Sequence, residues 1–155
     1  MSIHAVKAYQ REVEEDRRFG GSNNELSIRD AFKNMLNEYA RPKGLRLIYE
    51  LPYKTQQGKS VKPDGTLKDS LQNSWGFWES KDEADDINEE IQKKFAKGYP
   101  NDNILFEDSR TSVLYQHGAE VLRCDMADAE KLHELITKFI NLSVRTHVVF
   151  CAKVV

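Results

Sequence analysis

The sequence predicts an α/β domain, a central sheet with helices packed against it, and three observations lead there. Apolar residues recur at three and four over residues 25–40 and again over 127–140, the spacing of helices that face a core. Between these stretches lie short runs rich in aromatic and β-branched residues, separated by Pro, Gly, Asn and Asp. The third observation is the order: helix, three strands, helix, then further strands and a closing helix. At 155 residues the chain fits one domain able to bury a core, and its net charge of -2 excludes a globally basic nucleic-acid binder.

Taken in order, residues 3–18 place Ile3, Val6, Tyr9 or Gln10, and Val13 at helical spacing among charges, up to Gly20-Gly21. Ser22-Asn23-Asn24-Glu25 has the form of a capping box. The helix it opens carries Ile28, Ala31, Phe32, Met35, Leu36 and Tyr39 on its core face and stops at Arg41-Pro42-Lys43-Gly44, where proline and glycine both oppose continuation. Leu45 to Leu51 reads as a strand. Pro52 to Asp69 reads as a turn-rich segment that carries Asp64 into a second strand, and its lysines Lys54, Lys59, Lys62 and Lys68 make a locally basic surface. Such a rim suits a polyanionic backbone as well as it suits a soluble loop.

Trp75 to Lys81 is the third strand. A helix is expected directly after it, opened by Asp82, Glu83, Asp85 and Asp86 as dipole-capping acids, with Ala84, Ile87, Ile91 and Phe95 as its apolar positions and Lys93, Lys94 and Lys97 at its far end. Short strands follow at Ile104 to Phe106, Ser112 to Gln116 and Val121 to Arg123, and Ala127 to Ile140 closes the domain as a helix.

The chemistry concentrates around the third strand. Side chains of a strand alternate faces, so Phe77, Glu79 and Lys81 point one way and Trp78 and Ser80 the other. Asp64, behind Pro63, lies fifteen positions ahead of Glu79, enough for a turn and a return strand alongside. Two carboxylates and a lysine therefore converge. Close carboxylates resist joint ionisation unless a hard cation neutralises them, and Mg2+ takes one or two carboxylates with waters and phosphate oxygens. By the same reasoning, replacing either acid by Ala should leave the metal-free protein no less stable. Asp69 is the next acid if Asp64 is not a ligand. The competing reading is a surface salt bridge on an edge strand.

The Pro-Asp, then Glu-x-Lys arrangement resembles the PD-(D/E)xK nucleases, whose restriction endonuclease-like fold is a mixed central sheet flanked by helices. Several longer stretches are more specific: residues 24–37, Lys62-Pro63-Asp64-Gly65, Trp78-Glu79-Ser80-Lys81-Asp82, residues 97–108 and Val121-Leu122-Arg123-Cys124-Asp125-Met126. They are similar to the N-terminal Mrr-like nuclease domain of type ISP and related single-chain restriction-modification enzymes, over residues 1–140, with 1–20 as a helix packed on the core. The resemblance implies a Mg2+-dependent DNA endonuclease of a phage-defence system, Mn2+ serving as a substitute. It implies Asp64, Glu79 and the Ser80 carbonyl as metal ligands and Lys81 as the catalytic lysine. Glu25 matches an acid placed near the metal and Gln92 a polar residue on the following helix. Residues 141–155 depart from the family as a C-terminal tail, and no methyltransferase, Gly-rich phosphate-loop or helicase motif is present. A nuclease module, truncated or a fragment, that acts on DNA with methyltransferase, target-recognition or helicase domains is the implied context. The alternative is a catalytically silent nuclease-fold module that binds DNA or a partner protein.

Cys124 and Cys151 match neither a metal-ligand spacing nor a disulfide framework, and His4, His117, His133 and His147 show no ligand-like pairing. With no membrane span and an N-terminus too charged for a secretory signal, the expected location is the cytoplasm.

Overall fold

A computed structural model describes residues 3–20 and 25–154, with side chains described as far as residue 142. Ser22, Asn23 and Asn24 of the expected capping box lie outside the described residues. The elements run α1 (His4–Gly20), α2 (Glu25–Ala40), β1 (Arg46–Tyr49), β2 (Tyr53–Lys54), β3 (Ser60–Val61), β4 (Gly65–Lys68), β5 (Ser74–Ser80), α3 (Ile87–Ala96), β6 (Asn103–Glu107), β7 (Thr111–Gln116), β8 (Ala119–Asp125) and α4 (Ala129–Val154). After α2 a single 3-10 turn over Arg41–Lys43 ends at Gly44, whose φ of 72° and N–H bond to the Arg41 carbonyl complete the stop that proline and glycine announce.

Six strands form one sheet in the order β1-β4-β5-β6-β7-β8, and β2 and β3 form a separate hairpin. Every neighbouring pair in the large sheet is antiparallel except β5 and β6, which are parallel and joined through α3. That crossover makes the sheet mixed and places α3 on one face.

The alternation along β5 divides the core. Trp78 packs with Leu105 and Leu114 under α1, α2 and α4, among Val6, Phe32, Leu36, Leu135 and Phe139. Phe77 packs with Ile104, Phe106 and Val113 under α3, among Ile87 and Ile91. Trp78 stacks on Phe32 with ring centroids 5.6 Å apart. Gly65, opposite Trp78 in the β4–β5 register, leaves room for that indole: a Cβ there would lie 2.9 Å from both Trp78 and Leu47.

Several boundaries differ from those expected. The first strand ends at Tyr49, because Glu50 adopts a φ of 52° and turns its N–H onto the Asp64 carbonyl at 3.1 Å. The helix after Lys81 begins at Ile87 rather than at Asp82. Asp82 instead closes a turn, its carboxylate accepting from the Ala84 N–H and its carbonyl from the Asp85 N–H, and Asp86 alone is the N-cap, accepting from the Asn88 N–H. The last helix continues beyond Ile140 to Val154. Among the described residues no helix is long and apolar enough to cross a membrane.

Candidate active site

Asp64 and Glu79 meet where β4 begins and β5 ends. Continuing the register Gly65 to Trp78 by one step sets these acids opposite each other, and each takes the other strand's backbone. The Asp64 N–H donates to Glu79 Oε1 at 3.0 Å, and the Ser80 N–H donates to Asp64 Oδ2 at 2.7 Å. Both carboxylates are thereby oriented without using another acid. Buried Pro63 precedes Asp64, and the Glu50 N–H fixes its carbonyl, so the approach to the site is held from both sides.

Glu79 is only 3% exposed, which a lone carboxylate tolerates poorly. Its second oxygen, Oε2, lies 2.9 Å from Lys94 Nζ and 3.6 Å from Lys81 Nζ. Lys81 Nζ also lies 3.3 Å from Glu90 Oε2, and its N–H bonds the Glu107 carbonyl at 2.7 Å. A chain of alternating charge therefore runs Lys94, Glu79, Lys81, Glu90 and ends on the exposed Lys93, 3.5 Å from Glu90. Burial, then the charge of Asp64, pushes the Glu79 carboxyl above its ordinary range, while Lys94 draws it back. Burial works against the Lys94 ammonium, yet its bond to Glu79 holds its pKa above the usual lysine value. Burial likewise disfavours the Glu90 carboxylate, and the bond from Lys81 holds it below the ordinary range.

Glu90 was not expected in the site, and Lys94 only as one of the helix-end lysines within reach of phosphates. Both come from α3, where Ile87, Glu90, Ile91 and Lys94 fall at i, i+3, i+4 and i+7 and so share the face turned to the sheet. Two charges on a core-facing stripe are the sequence mark that identifies them. The repulsion expected between the two acids is offset at Glu79 by Lys94 as well as Lys81, and removing Glu79 would cost Lys94 its acid. Tyr99, itself nearly buried, braces Lys94, which lies 4.9 Å from the ring centroid.

Gln92 is exposed, two residues from both Glu90 and Lys94 and thus on the opposite flank of α3. The structure does not bring it to the acids. Glu25 is exposed at the start of α2 and lines a cavity of about 630 Å3 together with Ser80, Lys81, Arg17, Arg29, Arg110 and Glu107. Asp69 is turned into its own loop, accepting from the Leu71, Asn73 and Trp75 N–H groups; burial opposes its charge, but those bonds hold its carboxyl at about 2. Among the described residues no group of three or more His, Cys, Asp or Glu is arranged to hold a metal ion. Lys54, Lys59 and Lys62 are exposed along and after the β2–β3 hairpin.

On the other face of the same sheet end, Glu107 is 2% exposed. It accepts from Trp78 Nε1 at 3.3 Å and from the Ser109 N–H at 2.8 Å, and the Ser80 hydroxyl is a third partner. Burial outweighs these neutral donors and pushes its carboxyl up to about 7. His133 Nδ1 lies 2.6 Å from the buried Tyr39 hydroxyl.

A chain in the cryo-EM structure of the DrdV–DNA complex is 55% identical to this one, with a TM-score of 0.86 over 90% of this chain. This chain spans 14% of that chain's length. A DUF820 protein from Anabaena variabilis, described as a candidate nuclease, matches at 14% identity and a TM-score of 0.46 over 74% of this chain and 78% of its own, too distant to carry weight. No protein-family model and no curated protein matches. The mixed sheet, the α3 crossover and the two flanking layers are those of the PD-(D/E)xK, restriction endonuclease-like fold.

Proposed function

We propose that this chain is the DNA-cleaving module of a restriction-modification enzyme, a phosphodiesterase that works with Mg2+ or Mn2+. The observation that carries the reading is the meeting of Asp64, Glu79 and Lys81 at one end of β5, each oriented by backbone or ion-pair bonds. The likeness to a chain of a DNA complex supports DNA as the substrate. The donor set fits a hard divalent ion: an ionised carboxylate has about four acceptor positions, and Asp64 gives one of them to the Ser80 N–H. Asp64, Glu79 and the Ser80 carbonyl would hold the ion. Bound there, it would supply a water of lowered pKa and neutralise charge on the phosphate.

The chain's own residues do the rest. Lys81 stands at the mouth of the site, paired to Glu79 and Glu90, and brings a positive charge to where negative charge develops on phosphorus oxygens. Glu90 limits its reach and so sets its position. Arg17, Arg29 and Arg110 around the adjacent cavity, with Lys54, Lys59 and Lys62, would meet neighbouring phosphates, Arg17 and Arg110 giving up their pairs to Glu83 to do so. Type ISP-like methyltransferase, target-recognition and helicase parts would select the sequence, in the cytoplasm, against phage DNA.

The test is plasmid cleavage by the purified chain in Mg2+ or Mn2+. Nicking or linearisation is expected, reduced at least about a hundredfold in Asp64→Ala and in Lys81→Met. Cleavage that survives in Asp64→Ala overturns the reading. Retained DNA binding without cleavage in the wild type would instead favour a silent binding module.

A further inference from the structure

Lys94 has no counterpart among the two acids and one lysine of the proposed reaction. It nevertheless holds the shortest ion pair to the central acid, 2.9 Å against 3.6 Å for Lys81. Its side chain is 14% exposed, and Tyr99 braces it from below, the ring centroid 4.9 Å and the hydroxyl 3.4 Å from Nζ. Tyr99 is tied in turn to the Lys62 carbonyl at 3.3 Å, two residues before Asp64. This is a built seat for an ammonium, not a surface lysine that happens to reach an acid.

A count of charge shows what the seat does. Leaving aside Lys93, whose exposed ammonium also pairs with Glu90 at 3.5 Å, the ionised Asp64, Glu79 and Glu90 set three negative charges against the two positive charges of Lys81 and Lys94, a net of one negative. A divalent ion would make the site singly positive, the complement of a phosphodiester. Without Lys94 the same site would be neutral when loaded. Of the two Glu79 oxygens, Oε1 takes the Asp64 N–H and Oε2 the Lys94 ammonium, so an ion bound through Oε2 would compete with Lys94.

We propose that Lys94 is a positioning residue, a tethered cation seated on Glu79 that stabilises the metal-free site, weakens its hold on the divalent ion and biases the loaded site toward a phosphate. The inference rests on the metal-centre reading above. Because its readout is binding of the metal alone, it is separable from DNA cleavage.

The experiment is calorimetric titration with Mn2+, beside thermal melts with and without the ion, on the wild type, Lys94→Met, Lys94→Gln, Lys94→Arg and Asp64→Ala. Removing a charged hydrogen-bond competitor should tighten Mn2+ binding roughly tenfold in Lys94→Met and Lys94→Gln. The same variants should melt lower without metal and show a larger rise with it. Lys94→Arg should return to wild-type affinity. Mn2+ binding by the wild type that both neutral variants leave unchanged or weaken overturns the role of Lys94 alone. Absence of binding in the wild type and in both neutral variants overturns the metal centre and the proposal together, whereas binding lost only in Asp64→Ala keeps the centre.

Discussion

Glu79 and Glu107 are both buried carboxylates at the same end of neighbouring parallel strands, on opposite faces of one sheet, and they are satisfied in opposite ways. Glu79 is met by two lysines and a backbone N–H. Glu107 is met by an indole, a hydroxyl and an N–H, all neutral. An acid surrounded by neutral donors can lower its cost by taking a proton, and its carboxyl is pushed up to about 7. An acid matched by cations can instead exchange one cation for another. Burial alone therefore does not mark a functional carboxylate; the charge of its partners does.

The largest expected effect is at Glu79. Glu79→Ala leaves Lys94 and Lys81 facing each other without their shared acid, and loss of one partner of a buried pair costs about 3–5 kcal/mol. The low end is expected, since Lys81 keeps its pair to Glu90. Urea unfolding in a chelator at pH 8 measures it, and a variant as stable as the wild type would erase the distinction between the two acids.

The next effect is the pH dependence at Glu107. Its carboxyl rises from 4.5 to about 7 on folding, so the folded state holds the proton more tightly. The stabilisation is full below pH 4.5 and is lost as pH rises through about 7, a change of about 3 kcal/mol. Glu107→Gln should flatten that part of the stability profile between pH 5 and pH 8. An unchanged slope would mean that Glu107 is ionised in its pocket.

The smallest effect belongs to the other side of α3. Gln92→Ala should change stability by less than about 0.5 kcal/mol and leave Mn2+ binding as in the wild type. A weakened Mn2+ isotherm would bring Gln92 back into the site.

The two strand acids and Lys81 were legible in the sequence because a strand has a period of two and Pro63-Asp64 announces an extended entry. Those are local facts, and β5 obeys them: Phe77 and Trp78 enter different cores. Glu90 and Lys94 were hidden by the run of acids from Asp82 to Asp86, which drew the helix start forward and made the later lysines look like dipole partners. With the start at Ile87 the sheet-facing stripe becomes visible. Glu107 could not be found at all, since its burial depends on the parallel pairing of β6 with β5, a contact between distant segments that no local period encodes.

The crossover through α3 has a consequence for how the molecule assembles. Asp64, Glu79, Lys81, Glu90 and Lys94 all belong to one continuous stretch, a hairpin followed by a turn and a helix, while the apolar bulk of α1, α2 and α4 is supplied from outside it. Contacts so near in sequence close short loops, and short loops lose little entropy and form early. The reactive corner is thus written in a compact paragraph of the chain, and the flanking helices act on it mainly by keeping that paragraph folded.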